Sequence, residues 1–414
     1  MLKQIEGSRA IAETVALSRP QVICAYPITP QTHIVEGLGE LVKTGELQGC
    51  EFINVESEFA ALSVAIGASA AGSRAYTATS SQGLLFMAEA VYNAAGLGLP
   101  IVMTLGNRAI GAPINIWNDH SDAMALKDAG WIMLFAETNQ EAADLHIQAF
   151  RLAEELSTPV MVCVDGFILT HAYEQISIPT QAEVDAYLRP YVPVQVLDVD
   201  EPLSIGAMVG PEAFAEVRYL AHHKQLQALS LIPQLSNEFE AQFGRASGGL
   251  LHTYRVDGAD TVVVAMGSVN GTIKDLIDKM RDEGHAIGAL VISCFRPFPL
   301  PEVHSALADA RRVLVIEKNL AVGLGGVLAS NVRMALRGQS TPVFTCIAGL
   351  GGRPITTKSL RSLFESAEQD NLEDLTFLDL QWDVVEQQLE RMNETRGSGP
   401  IAESIMRMMG VRTP

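Results

Sequence analysis

Eight polar residues stand where apolar runs end in the first quarter of the chain. They are Thr29 in CAYPITPQT, Glu56 and Glu58 in NVESEFAA, Ser80, Ser81 and Gln82 in AYTATSSQGL, and Asn107 and Arg108 in LPIVMTLGNR. Carboxylates, hydroxyls, amides and a guanidinium are the groups needed to move protons and to grip an anion. Arg108 follows the strand-like IVMTLG, a place where arginine clamps carboxylate or phosphate through its planar fork of donors. A salt bridge to Asp119 or Asp122 in the next loop is the equal alternative. Thr29 sits between Pro27 and Pro30, either an extended backbone that presents its hydroxyl or a plain turn. Glu56 and Glu58, two apart, point to different sides, so one is expected at the working edge and one in solvent. Glu58 opens the small-residue run FAALSVAIGASAAG, which would desolvate it in a first helical turn; from spacing alone, a helix N-terminal charge is the favoured role.

Other motifs carry less. NDHSD (Asn118 to Asp122) holds one histidine and no second ligand cluster, so helix capping by Ser121 or Asp122 outweighs a metal there, and no metal ligand is assigned. His222 and His223 belong on the solvated face of an amphipathic helix. GLGG at 323–326 follows a strand, yet it lacks the third glycine of a dinucleotide fingerprint and EKNLAV intervenes, which argues against NAD. The chain contains no GxxxxGK[ST], and no GDG followed by an Asn that would bind diphosphate and magnesium.

The positions named first must be brought together by strand ends. From Gly7 to Gly166, helix-period and Val/Ile-rich segments alternate six times, the pattern of a parallel sheet covered on both faces, whose strand ends collect on one ligand-binding edge. From Phe167 to about Asp257 the alternation fails: a Pro-rich acidic excursion is followed by one or two amphipathic helices that should pack on a neighbour. A second alternating unit begins at Asp260, and from Thr356 the sequence turns polar and helical, with GSGP as a hinge before a Met-bearing last helix. The expected class is α/β with two doubly wound parallel-sheet domains. The boundaries are 1–257 (irregular from about 167), 258–355, and a helical tail 356–414.

Composition sets bounds. With 48% hydrophobic and 19% charged residues the chain is globular rather than disordered, and 414 residues call for two or three domains. A net charge of −19 disfavours nucleic acid or an anionic membrane as partner. Five cysteines without CxxC spacing read as small buried residues in a reducing cytoplasm. The opening MLKQIEGSRA has no signal-peptide pattern, and the uncharged stretch 90–107 is split by Gly96, Gly98 and Pro100. A cytoplasmic protein is expected.

Taken in order, YPITPQT, ESEFAA, TATSSQGL, GNRAIGAPINIWNDHSD, IEKNLAVGLGG and GLGGR resemble the α subunits of the thiamine-diphosphate-dependent 2-oxoacid:ferredoxin oxidoreductases, in particular of pyruvate:ferredoxin oxidoreductase. The resemblance covers nearly the whole chain. It implies a thiamine-pyrimidine-binding first domain and a second domain like the C-terminal domain of transketolases. It places Glu58 on the cofactor's aminopyrimidine ring as the catalytic acid, Pro27, Ser81 and Gln82 beside that cofactor, and Thr29 and Arg108 on the substrate carboxylate. It implies oxidative decarboxylation of pyruvate with coenzyme A to acetyl-CoA and CO2, or the reverse, with electrons leaving for ferredoxin. Magnesium and iron–sulfur clusters would belong to β and δ partner subunits, with a γ subunit completing the enzyme. Other 2-oxoacids (2-oxoglutarate, branched-chain, oxalate, aryl glyoxylate) stay open as substrates, because Ile114, Ile116 and Trp117 adjoin the clamp; so does a non-catalytic scaffold role.

Overall fold

Strands that are apolar on both faces are stable only between two layers of helices, and the chain meets that demand twice. The computed structural model describes residues 2–202, 204–392 and 401–411. In the first part, β1 (Leu2–Glu6) and α1 (Gly7–Leu17) lead to β2 (Val22–Ala25), α2 (Thr32–Thr44), β3 (Glu51–Asn54), α3 (Glu58–Ala70) and β4 (Ala75–Thr79). There follow α4 (Ser81–Phe86), α5 (Ala88–Gly96), β5 (Val102–Asn107), α6 (Ser121–Ala125), β6 (Ile132–Phe135), α7 (Asn139–Leu156) and β7 (Val160–Asp165). The run QGLLFMAEAVYNAAG, expected as one helix, is two. Met87, fully buried with φ −94° and ψ 12°, turns the chain between α4 and α5.

The excursion contains β8 (Tyr173–Ser177), α8 (Gln181–Tyr187) and α9 (Phe214–Phe243). Thr180 and Glu183 close a reciprocal capping box on α8. α9 is a single 30-residue helix that continues through Pro233, with Ala228, Ile232, Leu235 and Phe239 buried. That packing, much of it against α7, outweighs the proline's lost hydrogen bond. β1 and β8 pair antiparallel, Leu2 opposite Ser177 and Glu6 opposite Tyr173.

The second part runs β9 (Leu251–Tyr254), β10 (Thr261–Ala265), α10 (Val269–Asp282), β11 (Ile287–Ile292), β12 (Cys294–Arg296), α11 (Leu300–Ala306), β13 (Arg312–Glu317), α12 (Val327–Ala335) and β14 (Val343–Ile347). Then come α13 (Thr357–Glu368), β15 (Leu375–Phe377), α14 (Trp382–Arg391) and α15 (Ile401–Met408). The first sheet has the order β12-β6-β7-β5-β4-β2-β3 and the second β15-β14-β13-β10-β11-β9. Both are parallel apart from β12 and β9, which pair antiparallel at an edge.

Three expected limits shift. β9 lies before residue 258 and pairs with β11, so the second sheet starts earlier. β12 lies in the second segment and completes the first sheet beside β6. α13 buries Leu360, Leu363, Phe364 and Ala367 against the second sheet's core, and β15 extends that sheet, so residues to at least 377 belong with it rather than with a tail. The hinge expected at 397–400 lies outside the described residues. One apolar cluster, including Trp131 and Phe135 from the first part and Val264, Phe295 and Val315 from the second, runs between the sheets. Burying each such side chain contributes about 1.5–3 kcal/mol. No described helix is long and apolar enough to cross a membrane. All five cysteines are free thiols, four of them buried.

Candidate active site

The carboxyl ends of β2, β4, β5 and β7 form one edge of the first sheet. At the end of β2 the segment 26–31 turns back over the sheet, pinned by the fully buried Gln31, whose Nε2 donates to Tyr26 O (2.8 Å) and Ala78 O (3.1 Å). Pro27 and Thr29 are exposed along this turn. Arg108, 8% exposed, donates from its Nη1 to Thr29 O (3.0 Å) and from Nε to Asn115 O (2.9 Å). The salt bridge weighed from sequence is absent: Asp122 accepts the backbone N–H of Arg108 (3.0 Å), and Asp119 accepts Ser121 N and Gly351 N at 3.0 Å each. The guanidinium is thus oriented by carbonyls while its charge stays available. Burial lowers its pKa, and the charge of Asp122 opposes that.

Glu58 is the first residue of α3, behind the N-cap Ser57, whose hydroxyl accepts Ala60 N–H (3.2 Å). Its side chain is 93% withdrawn from solvent (7% exposed) and rests on Gly83, whereas Glu56 is exposed. A Cβ on Gly83 would come within 2.7 Å of Glu58 Oε1 and 2.5 Å of Thr79 Oγ1. Among the described residues no donor bonds the Glu58 carboxylate. Its neighbours at the edge are also unpaired: Thr79 Oγ1, Ser80 Oγ, Asn107 Oδ1 and Gln31 Oε1 are buried without a hydrogen-bond partner. Each such group costs about 1–3 kcal/mol when left unsatisfied, and four of them lie behind this edge.

Asp122 organises this edge, a role sequence reasoning did not assign. Fully buried in α6, it accepts Ser81 N (3.0 Å) and Arg108 N (3.0 Å) on Oδ2, and Asn107 Nδ2 (2.9 Å) and Ala123 N (2.8 Å) on Oδ1. It thereby joins the ends of β4 and β5. Burial pushes its pKa up to about 7 against the pull of those four donors. Ser81, at φ 49°, spends its hydroxyl inside the protein, on Ala109 O (2.5 Å) and Gln82 Oε1. The Gln82 amide lies against Gly111. Glu58 thus rests on Gly83, which follows Ser81 and Gln82, and Arg108 is joined to Ser81 through Asp122, with Thr29 attached to Arg108 through its carbonyl.

The second sheet reaches the same edge. Asp165, at the end of β7 opposite Asn107, is buried between His120 Nε2 (2.8 Å), Lys318 Nζ (2.9 Å) and Ser268, which donates from its N (2.9 Å) and Oγ (2.5 Å). Lys318 and His120 hold its carboxyl well below the usual range despite burial. The signal in the sequence was a lone acid ending the apolar strand VMVCVD. NDHSD thus contributes the imidazole of His120 as a hydrogen-bond partner of Asp165. The α12 N-terminus after GLGG is filled by Glu317, whose carboxylate accepts Val327 N (2.8 Å), Leu328 N (2.9 Å) and Ala329 N (3.1 Å). An internal carboxylate therefore takes the anion position a dinucleotide would need. His222 and His223 are exposed.

The family model described as pyruvate flavodoxin/ferredoxin oxidoreductase, thiamine-diphosphate-binding, matches residues 13–236, and that of the pyruvate:ferredoxin oxidoreductase core domain II matches 259–360. Pyruvate synthase subunit PorA of Methanosarcina barkeri is 45% identical over 370 residues (88% of this chain, 92% of that one). The PorA of Pyrococcus furiosus is 41% identical over 393 residues (92% and 99%). Ketoisovalerate oxidoreductase subunit VorA of Pyrococcus horikoshii is 37% identical over 370 residues (89% and 94%). Among solved structures, a 2-oxoglutarate:ferredoxin oxidoreductase from Magnetococcus marinus matches in fold with TM-score 0.66 at 20% identity, covering 88% of this chain. This chain spans 65% of the length of that one. With both family models matched in order, and with such identity along almost its whole length, the chain belongs to the pyruvate:ferredoxin oxidoreductase family.

Proposed function

We propose that this chain is the α-type subunit of a pyruvate synthase, supplying the pyrimidine half of a thiamine-diphosphate site and the clamp for the oxoacid. The observation that carries the proposal is the buried, unpaired carboxylate of Glu58 on Gly83, on the same edge as Arg108. Glu58 would hold the aminopyrimidine ring by donating or accepting one proton at its nitrogen. Pro27 and Gln82 would line that ring, with Ser81 shaping its wall through the backbone. Arg108 and Thr29 would take the substrate carboxylate, which fixes the bond to be broken relative to the ring. When bound, thiamine diphosphate supplies the carbanion that attacks the ketone and receives the electrons of decarboxylation. The orphaned hydroxyls and amide of Thr79, Ser80 and Asn107 fit a polar heterocycle.

Magnesium, the diphosphate and [4Fe-4S] clusters would be held by β and δ subunits, with γ completing the complex, coenzyme A accepting the acyl group and ferredoxin the electrons, in the cytoplasm. Exposed apolar residues support an edge that a partner covers: Ile114 and Trp117 on the loop after Arg108, and Val322 (92% exposed) and Leu324 on the loop after Lys318. Pyruvate is favoured over branched-chain oxoacids by the higher identity to the PorA chains than to VorA. The test is reconstitution: the chain with its partners should reduce ferredoxin with pyruvate and coenzyme A, and Glu58→Gln should abolish this while the complex still assembles. Turnover by the chain alone with thiamine diphosphate and Mg2+, or full activity in Glu58→Gln, would refute the proposal.

A further inference from the structure

Outside the edge described above, one group of side chains has the composition of a ligand set. Glu6 ends β1, His33 lies in the first turn of α2, and His171 follows the loop after β7. One donor atom from each lies within 4.8 Å of the other two. We propose that Glu6, His33 and His171 form a site for one divalent transition-metal ion, with Zn2+ the best suited.

Tetrahedral ligands at Zn–N distances of 2.0–2.1 Å stand roughly 3.3 Å apart, so closing the triangle needs side-chain rotations and no backbone movement. His33 Nδ1 now contacts Glu6 Oε1 at 2.7 Å, and the two imidazole rings face each other at 4.7 Å, tilted by 36°. Two of the ligands ride on fixed elements, Glu6 opposite Tyr173 in the β1–β8 ladder and His33 on α2, which packs on α1; His171 lies in the turn two residues before β8.

His171 also has a hydrogen-bond partner on its other ring nitrogen. Its Nδ1 lies 2.7 Å from Thr170 Oγ1, a hydroxyl that already accepts Phe167 N–H at 2.8 Å. With Nδ1–H donated to that oxygen, the lone pair of Nε2 is left for a metal. Two imidazoles and one carboxylate suit Zn2+ and its neighbours in the first transition row, whereas Mg2+ and Ca2+ prefer oxygen. Glu6 and His171 are half-buried and His33 is exposed, so an ion can enter and keep water on its remaining positions.

The location gives the ion a structural consequence. His171 stacks on Phe167 (4.7 Å), and Phe167 on Trp117 (4.8 Å), which belongs to the loop that orients Arg108. An ion here would tie β1, α2 and the loop after β7 together behind that clamp.

The test uses the full chain, stripped with a chelator and titrated with Co2+ as the spectroscopic probe, then with Zn2+ in competition. One equivalent of Co2+ should produce a visible d–d band that one equivalent of Zn2+ abolishes. His33→Ala, His171→Ala and the shape-conserving Glu6→Gln should each weaken binding by at least about tenfold. Binding should fade as pH drops toward about 5, because protons compete for imidazole. Circular dichroism of the metal-free variants checks the fold, and Glu6→Gln carries the test if a histidine variant misfolds. No band in the unmodified chain, or a band of unchanged affinity in Glu6→Gln and in whichever histidine variants fold, would overturn the proposal. So would a band that disappears in His222→Gln/His223→Gln, the exposed pair on α9.

Discussion

Adding one methyl group at Gly83 tests the placement of Glu58 without touching its charge. A Cβ there would lie 2.7 Å from Glu58 Oε1, 2.9 Å from its Cγ and 2.5 Å from Thr79 Oγ1, against ordinary contacts of 3.4 Å or more. Thr79 can turn its unpaired hydroxyl aside. Glu58 cannot relieve the overlap by rotating its carboxylate alone, because Cγ is itself too close. The carboxylate must therefore move by roughly 0.5–1 Å, and displacements near 1 Å cost on the order of 100-fold in rate. Stability should change little: alanine gains about 1 kcal/mol over glycine in a helix, and overpacking costs about 1–3 kcal/mol. The expected result for Gly83→Ala in the reconstituted complex is a loss of about two orders of magnitude in pyruvate-dependent ferredoxin reduction, weaker thiamine diphosphate binding, and a melting temperature within a few degrees of the parent. Gly67→Ala, where nothing lies within 4 Å of the new carbon, is the control and should keep activity. Full activity with unchanged cofactor affinity in Gly83→Ala would refute the argument, since it would show that the position of this carboxylate does not matter.

Three further perturbations probe the surroundings. Arg108→Ala should raise the KM for the oxoacid by about 10–100-fold, the worth of one charge-assisted bond of about 1.5–3 kcal/mol, and Arg108→Lys should recover little because the planar fork is lost; an unchanged KM would remove Arg108 from the site. Asp122 has a folded-state pKa raised to about 7, so its stabilising contribution is complete below the unfolded value near 4 and is lost as pH rises through about 7. Asp122→Asn should remove that part of the slope of melting temperature against pH, and a slope identical to the parent's would count against the assignment. Asp165, held low, contributes the opposite way: its stabilisation is present above about pH 4 and is lost as pH falls through its folded value. Lys318→Met, which leaves that buried carboxylate short of a charge, should cost about 3–5 kcal/mol in chemical denaturation and bring acid unfolding to higher pH; a loss below 1 kcal/mol would show the pair to be dispensable.

What was legible in the sequence was whatever local periodicity or local chemistry determines. The six alternations from Gly7 to Gly166 became six helix–strand units because the strands, except the edge strand β3, are buried along most of their length and lie between helices. Glu58 was legible as a desolvated acid from the small-residue helix it opens, although the contact that covers it, Gly83, comes from the next helix–strand unit. β1, β8, β9, β12 and β15 were not, since they have three to five residues each and pair with partners fixed only by the tertiary fold. Asp122 was read as a cap or a salt-bridge partner because its function lies in accepting backbone N–H groups of Ser81 and Arg108, and backbone donors leave no mark in sequence. The Asp165–Lys318 pair spans 153 residues and was hidden for the same reason that β12 was: the second unit returns to complete the first.

That return contributes to the geometry around Arg108, the proposed oxoacid clamp. Arg108 Nε is held by the carbonyl of Asn115, and Asn115 Nδ2 donates to Gly351 O (3.1 Å) in the second part of the chain. Gly351 N in turn donates to Asp119 (3.0 Å), and the next residue, His120, donates its N–H to Lys318 O (2.7 Å) and contacts Asp165 through its ring. The loop 109–120 is thus fastened from Asn115 onward to the turns that follow β13 and β14 of the second sheet, and it helps position the arginine of the first. A rotation of one sheet against the other would move the guanidinium relative to Glu58, which sits on α3 and has no bond to the second part. The distance between acid and clamp is therefore set by the first sheet through Thr29 and Asp122, and by the interface between the sheets through Asn115. The apolar cluster and the buried ion pairs at that interface reach the site through this one loop.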